Sequence, residues 1–535
     1  MTEQGILWFT NGRIYCPQAG FQPVSSLAVG GSRIVGTSNQ YIEGDQEIRD
    51  LGGMTVIPAL GDAHTHFLQY CMRSVQVDLD GAGSLEEALT LIAQHAEVLP
   101  AGSWLMGGGW NKNQWQPALW PSREDLDGVV PQTPVVLASK DCHCLWCNSE
   151  ALKRAHIDED TPEVSGGEIV RDAQGRPTGI LKENATQQMW DIMPEPSPEK
   201  LQKAMREGIG RMSRWGVASV HVMEGAETLR QLQSLHDRRM RFQVSIPHPD
   251  LYHAMVLGLR SGYGDEWLRL GPVKMFADGA LGSQTAYLDE PYEGSSDDCG
   301  IFTLNQEELT EAICQAARAG WAAAVHAIGD RANREVLNAM ERAQPLARRW
   351  GLRQRIEHAQ LIHPDDFTRF GNLGVIASVQ PLHVLSDWSI ADQYWGRRAR
   401  WAYAFKSLLR HGAVLALGSD APVESPHPWA TLSAAVLRRD PEAEQAWYPQ
   451  ERLTVQEAVW AYTVGAALAA GEEKQRGSLR EGQLADLIVL DRDIFSVSAE
   501  QLAEVQVLAT MVGGAWVYVS EKMADRLQTG VIGNN

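Results

Sequence analysis

Residues 56–66 read VIPALGDAHTH, an apolar run that closes with an aspartate and two histidines. Seven later segments repeat this pattern: VASVHVME (217–224), FQVSIPH (242–248), VKMFADG (273–279), AAAVHAIGD (322–330), RIEHAQL (355–361), VIASVQP (375–381) and AVLALGSD (413–420). Continuous apolar runs are typical of strands that are buried on both faces of a parallel sheet. Eight such strands with helices between them predict an α/β fold, a (β/α)8 TIM barrel whose active site lies at the carboxyl ends of the strands.

The helices between the strands carry end signals. Asn305 and Glu308 form a capping-box pattern, Leu309 and Ile313 share an apolar face, and Gly320 follows as a stop signal. This spacing predicts a helix over roughly residues 305–320.

Both ends of the chain have a different character. ILWFTNGRIY (6–15), SSLAVGGSRIVGTS (25–38), ADLIVLD (485–491) and VLATMVGGAWVYVS (507–520) read as short strands, with Asn-Gly and Gly-Gly as hairpin signals. Because chain ends often lie close together, we expect residues 1–55 and 475–520 to form one small β-sandwich beside a barrel of residues 56–474. The polar stretch from Glu521 onward is expected to be loosely held.

Residues 70–205 are far longer than a usual connection between a barrel strand and the next one. This stretch has a strand of its own, PVVLASKD (134–141), and it is expected to form an inserted subdomain after the first barrel strand. Its five tryptophans are Trp104, Trp110, Trp115, Trp120 and Trp146. They indicate either a cover over the barrel mouth or an ordinary peripheral core, and the sequence leaves both open.

The amino-acid composition is that of an ordinary globular protein. Of 535 residues, 44% are hydrophobic and 21% are charged, as in ordinary globular proteins. The formal net charge of −20 disfavours nucleic acid and anionic membranes as partners. Seven cysteines and the lack of a signal-peptide pattern favour a reducing, cytoplasmic location. A small-molecule substrate is therefore expected, and a homodimer is left open.

His64 and His66 close the first strand, where side chains two residues apart point the same way. A His-x-His pair alone is a weak metal signal. Four more residues stand at predicted strand ends: Lys274, His326, His358 and Asp420. Imidazoles with a carboxylate suit zinc, and also iron, manganese or nickel.

Lys274 raises an electrostatic question, because an ammonium ion beside a dication is repelled and burial also lowers its pKa. A neutral amine can react with carbon dioxide to form a carbamate that bridges two metals. Alternatively, Lys274 pairs with Asp278 or binds a substrate carboxylate. The residues alone do not separate these readings.

These segments resemble the amidohydrolase superfamily, and specifically its family-3 branch, which includes N-substituted formamide deformylases. The resemblance runs almost end to end, over VIPALGDAHTHF, GGGWNKNQW, PVVLASKDCHCLWCNSEAL, GILKENA, VKMFADGALGSQTAYL, VHAIGDRAN, RIEHAQLI, SVQPLHVLSDW, LALGSDAPVE and GSLREGQLADLIVLDRD. These motifs in this order are specific for the family, though not for one substrate.

The resemblance implies one or two divalent metals per chain, zinc being expected, with the ligands His64, His66, His326, His358 and Asp420. It also implies that Lys274 is the carboxylated bridge and that Asp420 shuttles a proton. The implied reaction is hydrolysis of a carbon–nitrogen bond in an amide or cyclic amide, other than a peptide bond, by metal-activated hydroxide.

Other residues have a functional and a structural interpretation. His143 and Asn148 are expected beside the substrate, although Asp141, Cys142, His143 and Cys144 also resemble part of a zinc cluster. His221 ends the second strand and is either substrate-facing or structural. The loop after the lysine strand, with Gly279, Gly282, Gln284 and Thr285, either contacts substrate or makes an ordinary turn.

Two other functions compete with amide hydrolysis. One is deamination of a heterocycle at a single metal, which a lysine on the fourth strand disfavours. The other is a non-catalytic scaffold, which is disfavoured because all six ligand positions are occupied.

Overall fold

The computed structural model describes residues 5–17, 20–39, 47–73, 75–100, 102–194, 196–440 and 443–527. Its strands are β1 (Ile6–Thr10), β2 (Arg13–Tyr15), β3 (Pro23–Val24), β4 (Ser26–Gly30), β5 (Arg33–Ser38), β6 (Glu47–Asp50), β7 (Thr55–Pro58), β8 (Leu60–Thr65), β9 (Val77–Asp78), β10 (Leu105–Trp110), β11 (Val135–Ser139), β12 (Cys144–Cys147), β13 (Gly167–Arg171), β14 (Pro177–Glu183), β15 (Val217–Val222), β16 (Arg241–Pro247), β17 (Leu268–Phe276), β18 (Ala323–Ala327), β19 (Arg355–His358), β20 (Ile376–Val379), β21 (Val414–Leu417), β22 (Leu487–Leu490), β23 (Val507–Val512) and β24 (Ala515–Val519). Its α-helices are α1 (Phe67–Arg73), α2 (Leu85–Glu97), α3 (Arg123–Val129), α4 (Ser149–Arg154), α5 (Gln187–Trp190), α6 (Pro198–Arg214), α7 (Ala226–Ser234), α8 (Leu251–Val256), α9 (Gln306–Arg318), α10 (Asp330–Trp350), α11 (Phe367–Leu373), α12 (His383–Trp395), α13 (Phe405–Arg410), α14 (Pro428–Leu437), α15 (Val455–Trp460), α16 (Ala466–Ala470) and α17 (Glu521–Leu527).

The barrel is one sheet of eight strands in the order β8, β15, β16, β17, β18, β19, β20 and β21, with parallel neighbours throughout. The first and last strands meet just beyond β21, where the backbone N–H of His66 donates to the carbonyl of Ala421 at 2.8 Å. The backbone N–H of Asp420 donates to the carbonyl of His64 at 2.7 Å. The predicted TIM barrel is confirmed, with the eight predicted strands in chain order.

The outer helices follow their end signals. Helix α9 starts after Asn305, whose side chain accepts from the backbone of Glu308 while the Glu308 carboxylate accepts in return. Gly320 follows the helix with φ +82°, a left-handed conformation that favours glycine. The predicted helix is confirmed. Within the described ranges, no helix combines the length and apolar character needed to cross a membrane.

Two further sheets lie outside the barrel. One has the order β5-β4-β1-β6, and the other, β24-β23-β22-β7-β2-β3, combines strands from both ends of the chain. The Gly30-Gly31 turn does join the antiparallel pair β4 and β5. The hairpin expected at Asn11-Gly12 is wrong, because β1 and β2 lie in different sheets. The chain changes sheet at Asn11, which has φ 52°.

The stretch after Glu521 is also more ordered than expected. Residues Glu521–Leu527 form α17, and Met523 within it is fully buried against the strands of the chain ends. An apolar residue at this position anchors the helix, so the expectation of a loose tail is wrong up to Leu527. Residues 528–535 lie outside the described residues. The β-sandwich and the domain limits stay predictions.

The long connection after β8 has a sheet of its own, in the order β13-β14-β12-β11-β10-β9. Trp115 and Trp146 are buried in its core, and their indole N–H groups donate to the carbonyls of Ala82 and Ser122. For these two tryptophans the interpretation as a peripheral core is correct.

Candidate active site

Two of the predicted ligands stand just where a barrel strand gives way to its loop, with unusual backbone angles. His358 has φ 71° and Asp420 has φ 60°. Left-handed conformations are uncommon for residues other than glycine and recur at functional sites. These angles break the alternation of the strand, and both residues line the cavity at the barrel mouth.

The side chains at the mouth form two groups that could each hold a metal ion. One group is His64, His66 and Asp420, and the other is His358, His383 and Asp420. Within each group the ligand atoms lie within 4.8 Å of one another. Asp420 belongs to both groups, so its two carboxylate oxygens serve neighbouring sites.

The contacts within these groups suit a cation. His64 Nε2 lies 3.2 Å from Asp420 Oδ1, and His66 Nε2 lies 3.4 Å from the same oxygen. His64 Nε2, His358 Nδ1 and Asp420 Oδ1 are nevertheless buried atoms without a hydrogen-bond partner among the described residues. Buried polar atoms are normally paired, so converging nitrogen and oxygen atoms left without partners fit a bound metal.

His64 is oriented from behind by a buried carboxylate. The Nδ1–H of His64 donates to Glu357 Oε2 at 2.6 Å, which leaves Nε2 facing the mouth. Arg355 Nε donates to Glu357 Oε1 at 2.5 Å and Arg355 Nη2 to Glu357 Oε2 at 2.9 Å. Burial opposes ionisation, yet the Arg355 guanidinium and His64 hold the pKa of Glu357 well below its usual range. A carboxylate behind a metal-binding imidazole fixes its tautomer and raises its basicity.

Asp62 ties the first strand to the last. Its Oδ1 accepts from the backbone N–H groups of His64 at 3.1 Å and Ser419 at 2.9 Å, and its Oδ2 accepts from Ser419 Oγ at 2.5 Å. These bonds place His64 opposite Asp420, which follows Ser419 in the chain.

Lys274 lies on β17 and is almost fully buried. Burial lowers the pKa of its amine to about 8, while the charges of Glu357 and Asp420 oppose that effect. Its Nζ lies 4.6 Å from the centre of the Phe276 ring. Asp278 instead accepts from the backbone N–H groups of Ile328, Gly329 and Tyr287. The alternative that pairs Lys274 with Asp278 therefore has no contact to support it among the described residues.

His326 joins the cavity wall to the loop after β17. Its Nε2–H donates to the carbonyl of Gly279 at 3.0 Å, and its ring centre lies 4.5 Å from that of His358. The ring of His143 lies 5.0 Å from that of His326 on the other side. His143 Nδ1–H donates to Glu183 Oε2 at 2.8 Å. Although burial opposes protonation, the charge of Glu183 raises the pKa of His143 to about 9.

Gly279 stands at a crowded contact, since a Cβ there would lie 2.0 Å from Thr285 Oγ1 and 2.2 Å from Glu183 Oε1. Thr285 Oγ1 donates to Glu183 Oε1 at 2.6 Å. The loop after β17 thus contacts the inserted sheet directly, and Gly282 in the same loop lines the cavity. Gln284, with φ 58°, is not among the residues that line it.

The structure does not bring Asn148 to the cavity. Its Oδ1 accepts from Val135 and Ala151, and its Nδ2 donates to the carbonyls of Val130 and Thr133. This side chain caps α4 and has no bonding capacity left for a substrate.

His221 is likewise away from the cavity. It is fully buried, and its Nδ1 accepts from Arg355 Nη1 at 2.9 Å. This arrangement is that of a structural histidine. No metal-binding group of three includes Cys142 or Cys144 in the described part of the chain, and both thiols are free.

The family is decided by a comparison over nearly the whole chain. The profile of the amidohydrolase family, in its family-3 branch, matches residues 47–518. The chain belongs to the amidohydrolase family.

Individual relatives agree with this assignment. The amidohydrolase is 32% identical to the putative amidohydrolase YtcJ of Bacillus subtilis, over 90% of this chain and 92% of that one. It is 28% identical to the N-substituted formamide deformylase of Arthrobacter pascens, over 97% of this chain and 99% of that one. Among solved structures, an uncharacterized metal-dependent hydrolase of Pyrococcus horikoshii is similar, with a TM-score of 0.76, 28% identity and coverage of 92% and 99%.

Three residues of this amidohydrolase site were not predicted from the sequence: Arg355, Glu357 and His383. Arg355 and Glu357 stand two apart in a buried strand, and such a pair in RIEH is a signal for an internal ion pair. His383 follows β20 in SVQPLHV, and its Nε2–H donates to Asp420 Oδ2 at 3.3 Å. The histidine after the seventh strand was available as a signal, because polar residues at strand ends face the barrel mouth.

Proposed function

We propose that this amidohydrolase hydrolyses a carbon–nitrogen bond in an amide or cyclic amide, other than a peptide bond. The observation that carries the proposal is the pair of neighbouring ligand groups that share Asp420 at the barrel mouth. Membership of a family of amide-cleaving hydrolases gives the reaction class its prior support.

In this proposal one or two divalent ions, zinc first, are held at the mouth by the predicted ligands His64, His66, His326, His358 and Asp420. Of these, His326 stands in neither of the two groups, and its remaining ring nitrogen, Nδ1, would be the ligand atom. Imidazole nitrogens with one carboxylate are a zinc-like donor set. A divalent ion, when bound, polarises the substrate carbonyl and lowers the pKa of nearby water.

Asp420 is proposed to carry the proton of the reaction. Its Oδ2 accepts from His383, and its Oδ1 is buried without a hydrogen-bond partner in the described chain. A carboxylate with one oriented oxygen and one available oxygen can take a proton from attacking water and deliver it to the leaving nitrogen. Protonating that nitrogen lets it depart as an amine.

Lys274 is proposed to be carboxylated. The neutral amine adds to carbon dioxide, a nitrogen–carbon bond forms, one proton leaves, and the side chain becomes an anionic carbamate. The lowered pKa of the amine supports this step, because a larger share of it is neutral than in an exposed lysine. A negative charge at this place also suits neighbouring cations.

His143 is proposed to assist at the carbonyl oxygen. It lines the cavity, and its pKa of about 9 keeps the ring positively charged at neutral pH. A fixed positive charge beside the reacting carbonyl stabilises the oxyanion that develops as water adds.

We propose that the two outer sheets pack as a β-sandwich, which is supported by a common apolar core that includes Phe9, Leu27, Val56, Leu487 and Met511. A cytoplasmic location, a small-molecule substrate and a homodimer belong to the same proposal.

The test is a panel of N-formyl, N-acetyl and cyclic amides offered to zinc- and manganese-loaded protein, with amine release as the measurement. Metal-depleted protein is the control, and Asp420→Asn is expected to lose turnover while staying folded. Release of ammonia from heterocycles without amine release from amides would assign the deaminase alternative. Faster cleavage of dipeptides than of any amide in the panel would contradict the proposed bond class.

A further inference from the structure

The cavity at the barrel mouth has one wall from the barrel and one from the inserted sheet. The barrel contributes His326, His358 and Asp420, and the insertion contributes Trp110 and the segment Asn111–Asn113. A substrate whose reacting carbon lies at the ligand groups would therefore contact the insertion with its remaining atoms.

Lys112 lies in this second wall. The residue is only 6% exposed, and its Nζ donates to Asn113 Oδ1 at 2.9 Å. The ammonium also lies 4.7 Å from the centre of the Trp120 ring. No carboxylate lies within 4.0 Å of Lys112 Nζ among the described residues, so a nearly buried charge rests on a neutral amide and an indole.

Two neighbouring lysines, Lys140 and Lys182, each have a carboxylate partner. Lys140 Nζ lies 3.1 Å from Asp80 and 3.7 Å from Glu424. Lys182 Nζ stacks on the same Trp120 ring at 4.9 Å, but it also pairs with Glu168 at 2.8 Å. Lys112 has the ring without the carboxylate. Burial lowers its pKa, and the more distant charge of Asp141 offsets this only in part.

Three carboxylates of the cavity wall, those of Asp387, Glu424 and Asp141, already accept hydrogen bonds. Asp387 accepts from Tyr403 Oη at 2.5 Å, and Glu424 accepts from Ser386 Oγ at 2.6 Å. Asp141 accepts from the Ser139 hydroxyl and from the backbone N–H of His143. These donors are neutral, so they satisfy the oxygens as hydrogen-bond acceptors and leave the charges in place. Lys112 is therefore a cation of the cavity wall that has no carboxylate within 4.0 Å among the described residues, and it lies beside the indoles.

We propose that Lys112 binds a carboxylate of the substrate, so that the preferred substrates are N-acyl or N-formyl compounds that carry an acidic group away from the scissile bond. The aromatic surface of Trp110 and Trp120 beside Lys112 favours an apolar or aromatic group next to that carboxylate. This inference rests on the proposed amide hydrolysis, because that proposal places the amide group of the substrate at the ligand groups.

Two amides that differ only in the carboxylate test the inference. 4-(Acetamidomethyl)benzoate, whose carboxylate lies across an aromatic ring from the amide, and N-benzylacetamide are compared on metal-loaded protein by kcat/KM. The acid is expected to be preferred, and Lys112→Met is expected to lower that preference about 10- to 100-fold, the range for hydrogen bonds to charged groups. Most of the change should fall on KM, since Lys112 holds a remote group. Lys112→Arg, which keeps the charge, should retain most of the preference.

Lys182→Met is the matched control, because it removes from the same indole a lysine whose charge is already paired with Glu168. It should leave the preference unchanged. If Lys112→Met keeps the full preference for the acid, the carboxylate is bound elsewhere, for instance at the metals, and the inference is overturned.

Binding of inert ligands separates this inference from the proposed reaction. Phenylacetate and 2-phenylethanol, neither of which has a carbon–nitrogen bond, are titrated against the metal-loaded protein, with tryptophan fluorescence as the readout. Tighter binding of phenylacetate that is lost in Lys112→Met supports the anion site even if neither amide is hydrolysed, in which case only the proposed reaction fails. Equal binding of the two ligands overturns the anion site even if both amides are hydrolysed.

Discussion

The barrel mouth and the inserted sheet hold their functional side chains in different ways. At the mouth, His64 is fixed by Glu357, a charged group bonded within the same buried layer of strands. Across the cavity, Lys112 rests on Asn113, and Asn113 Nδ2 reaches the barrel through one bond of 3.2 Å to the carbonyl of Gly282.

From this difference we infer that metal binding depends mainly on the barrel and substrate choice mainly on the insertion. Ligands fixed by several buried, charge-assisted bonds tolerate little displacement. Asn113 reaches the barrel through two neutral hydrogen bonds, one of 3.2 Å to the carbonyl of Gly282 and one of 3.5 Å from the hydroxyl of Tyr394, so this segment can shift at smaller cost. We therefore expect substitutions at the mouth to change metal content, and substitutions in the insertion to change KM with metal content preserved.

The largest effect is expected at Lys274. Lys274→Ala removes the proposed carbamate, so the protein should lose most of its metal and its activity should fall to background. Added formate, acetate or propionate should restore part of both, because a small carboxylate can take the vacated position. Metal content is measured by elemental analysis alongside turnover.

Full metal content in Lys274→Ala, with a raised KM and no response to small acids, would assign Lys274 to substrate binding. That outcome would also contradict the proposed division of roles between the two regions, because a residue of the barrel mouth would then act on substrate binding alone.

A smaller effect on the metal is expected at Glu357. Glu357→Gln keeps an oxygen that can accept from His64 but removes the negative charge that balances Arg355. Metal affinity should fall about 10- to 100-fold, as for other partners of ligand histidines. Competition with a chelator measures the change without relying on turnover.

Glu451→Gln is the matched control. Glu451 is also a buried glutamate, but it accepts from the backbone and hydroxyl of Ser407, away from the mouth. It should lower thermal stability and leave metal affinity unchanged. Equal metal loss in both variants would show that Glu357 acts through general stability.

The contrast between the two regions also explains what the sequence could predict. The eight strand ends were predictable, because apolar runs closed by polar residues are a local pattern. So was the capping box at Asn305, in which both partners lie within four residues. The direction of His358 did not follow from strand alternation, because this last residue of β19 has a left-handed backbone angle; only the family resemblance implied that it is a ligand.

Contacts between segments that are far apart in the chain could not be predicted either, because they exist only once the chain has folded. Lys112 reads as an ordinary solvated lysine until the fold buries it against Trp120 and the cavity. Asn148 reads as a polar residue in a family motif, yet its neighbours in the insertion consume its whole amide. Strands β1 and β2 look like a hairpin, and only their separate partners place them in two sheets.

Two buried carboxylates of the barrel, those of Glu224 and Glu357, differ in the direction of their pKa shift. Glu224, just beyond β15, accepts from the backbone N–H groups of Leu68 and Gln69, without the guanidinium that Glu357 has. Burial raises the pKa of Glu224 to about 7 from 4.5, and the backbone bonds offset this only in part. The folded protein thus binds this proton more tightly than the unfolded chain does, and stability should fall as pH rises from about 4.5 to about 7.

Because the pKa of Glu224 rises from 4.5 to about 7, and each pH unit of difference is worth about 1.36 kcal/mol, that fall is at most roughly 3 to 4 kcal/mol. In Glu224→Gln, which cannot ionise, this contribution to the pH dependence should disappear. The measurement is the melting temperature of both proteins from pH 4.5 to pH 8. Parallel curves would show that Glu224 is ionised in the folded protein throughout this range.

The smallest effect is expected where the two regions meet, at Asn113. Asn113→Ala removes the bond to the carbonyl of Gly282 and the oxygen that holds Lys112. The bond to Gly282 is neutral and Lys112 keeps its contact with the Trp120 ring, so we expect a loss of about 1 kcal/mol: KM should rise about 3- to 10-fold while kcat and metal content stay near those of the unaltered protein. Gln188→Ala is the control, because it removes a single amide bond, to the carbonyl of Ala155, that lies wholly inside the insertion. It should leave KM unchanged. A loss of metal in Asn113→Ala would show that the insertion also positions the ligands, and the separation between the two regions would be wrong.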